Sequence, residues 1–227
     1  TPGWKEDIIG TEEKEAKDTC GNEGEILDLS DINSEPKNYL VRNHFYFNDE
    51  INSDTARALI INLHELALSI VDESLKVGSI PCPIELHINS PGGSLTDALQ
   101  IVQVIKDIQS GKACKIGDAL VPVKINTYGE GAFCSGASLI HCVGSKRYMS
   151  KYSLCLIHPM KSIDGNFKTV EEQRQELDNN ELFNRVYKDV YLEHSNLTEE
   201  QLNSMMKIER YYTPQELLSF GLVDEIY

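Results

Sequence analysis

The chain has 227 residues, 41% of them hydrophobic, with a formal charge of −15 at pH 7 and an isoelectric point near 4.8. That length and apolar content suffice for one full core. The acidic balance argues against nucleic acid and anionic membranes as partners, since both call for a basic face. No run approaches the ~20 apolar residues of a membrane span, and no basic-then-apolar leader opens the sequence. Six cysteines (Cys20, Cys82, Cys114, Cys134, Cys142 and Cys155) show neither a CxxC pair nor zinc-ligand spacing. Reduced thiols in a cytosol-like compartment are the expectation, with no metal and no cofactor.

Residues 1–36 carry eleven acidic residues against three lysines and few large apolar side chains, which reads as an acidic flexible arm or pro-segment. A single domain over 37–227 is expected to follow. His44–Phe47 is a strand candidate. Asn52 or Ser53 then caps a helix whose apolar set, Ala56, Leu59, Ile60, Leu63, Leu66, Ala67 and Ile70, keeps the i, i+3, i+4 spacing. A strand is predicted over 84–89, and a helix from Ser94 with Asp97 as its capping partner. Residues 110–120 read as a loop, Val121–Thr127 as a strand, 136–143 as a short apolar helix and 153–158 as a strand. A long helix with a polar outer face covers 169–194, and another opens at Thr198 with Gln201 as partner. Thr213-Pro214 starts a last helix, which Gly221 stops before a strand over 222–226. Strands alternating with helices predict an α/β fold with a largely parallel sheet.

Three stretches carry chemistry. Ile84–Gly93, IELHINSPGG, ends a strand in two glycines, leaving backbone N–H groups unshielded where an oxyanion could approach. GAFCSGASLI puts Ser135 in a small-residue turn at the mouth of a helix. LCLIH ends a strand at His158. A bare amide, a serine and a histidine at element boundaries are the parts of an acyl-transfer site. By composition alone Ser135 would be a helix N-cap and His158 a structural histidine, as would His44, His64, His87, His141 and His194.

Taken in order, INSPGGS, GAFCSGASLI, GSKRYM, LCLIH and ELLSFGLVDEI resemble the proteolytic subunit of the Clp protease family (peptidase S14), from about residue 40 to the C-terminus. GSKRYM and LCLIH are also similar to the divergent forms of phages, viruses and organelles. The resemblance implies a crotonase-like spiral of ββα units, with helix 169–194 as a handle between stacked rings. It implies a serine endopeptidase acting on unfolded proteins inside a chamber of heptameric rings, stacked as a tetradecamer and fed by an AAA+ unfoldase ATPase. A cytoplasmic location is implied, the host's for a phage or viral form, or a plastid-type organelle. By position the nucleophile falls on Ser135, the general base on His158, the third member on Glu209, and the oxyanion donors on Gly93 and Gly136.

The sequence departs from the family pattern in three ways. Phe133 and Cys134 stand where the family has small residues. A register aligning Gly136-Ala137 with the family's Gly-Ala moves the nucleophile to Cys134, but it needs compensating gaps that the Ser135 register does not. Glu209 stands where the family has aspartate, and beside Arg210 it could be a surface ion pair. These departures support an alternative, a non-catalytic ClpR-like subunit that assembles with active paralogues. A crotonase relative binding acyl-CoA is a further alternative, disfavoured by SPGG and His158.

Overall fold

The computed structural model describes residues 37–159 and 168–227. The acidic arm predicted over 1–36 lies outside the described residues. Ten strands and six helices make up the described part, beginning with β1 (Tyr39–Val41), β2 (His44–Phe47) and α1 (Ser53–Val77). Next come β3 (Ile84–Ser90), α2 (Leu95–Gln109), a small hairpin of β4 (Lys115–Ile116) and β5 (Ala119–Leu120), β6 (Ile125–Cys134) and α3 (Gly136–Cys142). The remaining elements are β7 (Arg147–Met149), β8 (Leu154–Ile157), α4 (Val170–Glu193), α5 (Glu199–Met205), β9 (Arg210–Tyr212), α6 (Pro214–Ser219) and β10 (Glu225–Ile226).

The strands form one sheet in the order β1-β2-β3-β6-β7-β10, with β8 branching from β6 and β9 beyond it. From β2 to β10 along this path every pairing is parallel; β1 on β2 and β9 on β8 are antiparallel. The predicted mainly parallel α/β architecture is therefore present. Strand β6 organises it: residues 127–129 pair with β7, and residues 132–134 pair with β8. One long strand thus carries two partners in succession, and the branch brings β8 and β9 alongside its C-terminal end.

Period-two alternation sorts the side chains. Phe45, Phe47, Ile84, Leu86, Ile88 and Ile125 point into the core beneath α1, α2 and α3, which pack side by side. On the opposite face, Tyr39, Tyr46, His87, Tyr128 and Tyr148 stack in sequence across five strands, with ring centroids 4.2–4.6 Å apart. The helix starts at Asn52, Thr198 and Thr213 follow the predicted caps, and Thr169 adds one that was not predicted. Asn52 and Thr55 form a reciprocal capping box at α1, as do Thr169 with Glu172, Thr198 with Gln201 and Thr213 with Glu216. Each box satisfies backbone N–H groups that the first helical turn would otherwise leave bare. Only Ser94 with Asp97 is half-formed, with the Asp97 amide donating to Ser94 Oγ at 3.4 Å.

Three expectations need correction. Residues 110–120 are not a plain loop, because Lys115–Ile116 and Ala119–Leu120 pair around Gly117-Asp118. The strand predicted over 121–127 starts at Ile125 and runs to Cys134, through glycines that hide its alternation. The strand predicted over 222–226 is reduced to Glu225–Ile226. The three-residue strands β1, β7 and β9 were not read at all, since their pairing partners rather than their own composition define them.

Candidate active site

Ser135 follows the last residue of β6 and precedes α3, with φ 54° and ψ −123°. A non-glycine residue at this φ is sterically costly, by about 1–3 kcal/mol, and persists only where its surroundings over-determine it. They do so here. The Ser135 amide donates to the Leu156 carbonyl at 2.8 Å, and its own carbonyl accepts from the Ser138 amide at 2.9 Å and from Ser138 Oγ at 2.6 Å. Although Ser135 occupies the N-cap position of α3, its side chain makes no capping hydrogen bond. The structural role open to a serine in this position is unfilled, and the half-buried hydroxyl is left available.

The glycine segment lies directly against this turn. Gly92 has φ 87°, and a Cβ there would come within 2.8 Å of Ser135 Cβ and 2.4 Å of the Cys134 carbonyl. Gly93, with φ 144°, is held to Ile51 by a parallel bridge in which the Ile51 amide donates to the Gly92 carbonyl (2.7 Å) and the Ser94 amide to the Ile51 carbonyl (2.8 Å). A Cβ on Gly93 would meet the Ile51 carbonyl oxygen at 2.1 Å, so only glycine fits. Among the described residues, neither the Gly93 nor the Gly136 N–H has an acceptor. Two unpaired amides therefore flank the serine. Ile51 as the clamp on Gly93 was not predicted, and no sequence pattern signals a single bridge residue.

The register that favours Cys134 finds no support in this geometry. Cys134 is the last strand residue, paired with Leu156 and buried, and its thiol pKa is raised by that burial. A buried neutral thiol is a poor nucleophile. Strand β6 carries two extra residues just upstream of this turn: β3 advances from Ile88 to Ser90 while β6 advances from Gly129 to Phe133. Asn89 Oδ1 accepts from the Ala132 amide at 3.2 Å and closes the irregular stretch. Phe133, which stands where the family has a small residue, points into the core against His141 and away from the turn.

His158 comes directly after β8 and is half-buried. Its Nδ1–H donates to the Pro159 carbonyl at 2.6 Å, since a carbonyl can only accept, and in the neutral ring the lone pair then lies on Nε2. Glu209 comes directly before β9. The antiparallel ladder of β8 and β9 ends with Ile157 opposite Arg210, and His158 and Glu209 are the next residues beyond that end. The fold thus carries Ser135, His158 and Glu209 to the same end of the adjacent strands β6, β8 and β9. It does not join them: among the described residues, no hydrogen bond or ion pair links His158 to Ser135 or to Glu209. The suggested surface pair of Glu209 with Arg210 is not formed either. Among the described residues Arg210 pairs with Glu216 at 2.9 Å and lies over the Tyr212 ring. No group of three or more metal-ligating side chains occurs among the described residues.

A branched, mainly parallel sheet with a strained serine at the end of its central strand and a glycine pair packed on it defines an α/β fold of the ClpP type. The chain belongs to the Clp protease family, whose model matches residues 35–227. It is 27% identical over 150 residues to the ATP-dependent Clp protease proteolytic subunit 2 of Thermobifida fusca, covering 63% of this chain and 64% of the relative. The subunit of the same name from Mycolicibacterium paratuberculosis is 25% identical over 187 residues, covering 80% of each. The one from Corynebacterium glutamicum is 27% identical over 146 residues, covering 63% and 65%. The chain thus spans just under two thirds of the length of two of these relatives. Among solved structures, a mutant ClpP1 from Listeria monocytogenes superposes with a TM-score of 0.64 at 19% identity, over 82% of this chain and 91% of that one. At that identity the likeness shows the fold alone.

Proposed function

We propose that the chain is a serine endopeptidase, the proteolytic subunit of a Clp-type ATP-dependent protease. The observation that carries this reading is Ser135: strained in its backbone, excluded from capping and set between two unpaired amides. Such a turn holds a hydroxyl where an acyl carbon can reach it and places donors where the oxygen of that carbon becomes negative.

In the proposed reaction, Ser135 Oγ bonds to the peptide carbonyl carbon while His158 Nε2 takes the hydroxyl proton. The Gly93 and Gly136 N–H groups hold the resulting oxyanion, an effect of about 3 kcal/mol per donor in other enzymes. Collapse breaks the C–N bond, and the leaving amine takes the proton from His158. Water then repeats the sequence to free the serine. The unjoined His158 turns toward Ser135 as substrate enters; catalytic hydrogen bonds are often long or misaligned before substrate binds. Glu209, which lies with His158 just past the same end of the β8–β9 ladder, stabilises the imidazolium that forms.

The assembly proposed with this activity is a heptameric ring, stacked in pairs, working with an AAA+ unfoldase that delivers unfolded chains. Its support is a pair of uncovered helix faces. On α4 only Tyr187 and Tyr191 are buried, while Leu177, Leu182 and Val186 are exposed. On α1, Ile61, Leu68 and Leu75 recur every seven residues on the exposed side. Apolar stripes of this length call for a protein neighbour, and in a ring that neighbour is another subunit.

The test is hydrolysis of an unstructured casein by the assembled protein, with Ser135→Ala and His158→Ala beside it. Each substitution should lower the rate by at least about 10³-fold without changing the sedimentation profile. The unjoined histidine favours a second reading, a non-catalytic subunit that completes rings with active paralogues. An inert wild type that nevertheless enters mixed rings would select that reading.

A further inference from the structure

The hydroxyls of Ser138, Tyr187 and Tyr191 form a buried chain that ends on the Ser135 carbonyl, and nothing in the peptidase mechanism above accounts for it. Ser138 Oγ donates to that carbonyl at 2.6 Å. It lies 2.5 Å from Tyr191 Oη, which in turn lies 3.1 Å from Tyr187 Oη. The directions are fixed by counting protons. Ser138 has one hydroxyl hydrogen, committed to the carbonyl, so Tyr191 must donate to Ser138. The Tyr191 hydrogen is then used, so Tyr187 must donate to Tyr191. Both tyrosines are buried, at 3% and 0% exposure, and burial raises the pKa of each, so they remain neutral donors.

Every donor in this chain points toward one peptide group. The carbonyl of Ser135 and the N–H of Gly136 belong to the same amide plane, and that N–H is one of the two unpaired donors beside the serine. Hydrogen bonds on a carbonyl draw charge toward its oxygen and strengthen the N–H across the amide as a donor, and aligned chains reinforce one another. They also fix the plane, holding the N–H toward the site against the strain at φ 54°.

We propose that Ser138, Tyr191 and Tyr187 are positioning residues for the oxyanion site, orienting and polarising the Ser135–Gly136 peptide through a one-way hydroxyl chain. The inference rests on the serine-peptidase reading and deepens it. It makes the root of α4, the only part of that helix with buried side chains, a support for the reacting turn.

The test is the inactivation kinetics of the full chain with a fluorophosphonate, separating the affinity constant KI from the maximal rate kinact. Tyr191→Phe removes one oxygen and keeps the ring. It should lower kinact about tenfold and leave KI unchanged, because the hole acts on the charged adduct rather than on probe binding. Ser138→Ala should do the same, and the double variant should be no slower than either single one, since both break the same chain. Cys142→Ala, which borders the same small cavity as Tyr191 without joining the chain, should lower stability and leave kinact alone. Wild-type kinact in Tyr191→Phe, or a loss in Cys142→Ala equal to that in Tyr191→Phe, would overturn the positioning role while leaving the peptidase reading intact. Failure of the wild type itself to react would overturn both.

Discussion

The two halves of the candidate site are held very differently. The serine half is fixed by backbone: Ser135 is pinned at its amide and its carbonyl, Gly93 is clamped by Ile51, and Gly92 lies against the Ser135 side chain. The histidine half rests on strand ends. His158 and Glu209 lie just past the same end of the β8–β9 ladder, and the histidine is bonded to its neighbour's carbonyl. Donors for an oxyanion gain their value from being fixed before charge develops, whereas a proton carrier needs only to reach its partners when substrate is present. On the proposed peptidase reading, the part of the site that must move before reaction is His158 rather than the serine turn.

Substitutions can break that contrast or sharpen it. The largest effect on stability is expected at Gly93→Ala, where the new Cβ meets the Ile51 carbonyl at 2.1 Å in a left-handed backbone. A loss of about 3 kcal/mol in urea unfolding is expected. Gly78→Ala, at φ 67° with nothing within 4 Å of the added Cβ, should cost only about 1 kcal/mol. Equal losses would mean that the serine half is not specially constrained.

His141 gives the same half a pH dependence. It is buried on α3, its Nε2–H donates to the Tyr148 carbonyl at 2.9 Å, and burial lowers its pKa from 6.5 to about 4. In the unfolded chain it takes a proton as pH falls through about 6.5, while the folded chain resists until about 4. The stability it permits is therefore intact above about 6.5 and lost between 6.5 and 4, by up to about 3 kcal/mol. His141→Gln, which keeps an N–H for Tyr148, should flatten denaturation midpoints across that window. A slope unchanged by the substitution would exclude His141 as its source.

The smallest effect is expected at Glu209. With the Pro159 carbonyl already holding the tautomer of His158, Glu209→Gln should lower peptide hydrolysis only about tenfold, read as kcat with KM unchanged. A loss near 10⁴-fold would show that Glu209 closes on the histidine during turnover, and that the looser half is as demanding as the serine half.

Much of this was legible in the sequence. The caps at Asn52, Thr198 and Thr213 marked three helix starts, because the chemistry of a cap is local. Gly93 and His158 stood out because each sits where a strand pattern breaks, and Ser135 because a small-residue turn carries it to the mouth of a helix. Strand β6 was misread because its partner switch and its irregular stretch at 130–132 depend on β3, β7 and β8, none of which its own residues encode. Tyr187 and Tyr191 were invisible for a related reason. In a helix with a polar outer face, two tyrosines four residues apart look like ordinary packing until Ser138 is brought beneath them.

The central claim is that Ser135, and not Cys134, is a working nucleophile. Labelling the assembled protein with a fluorophosphonate and mapping the adduct by peptide mass spectrometry tests it most directly. The adduct should fall on Ser135, persist in Cys134→Ala and vanish in Ser135→Ala and His158→Ala. A well-folded, assembled wild type that takes no label, or a label that follows Cys134, would contradict the account.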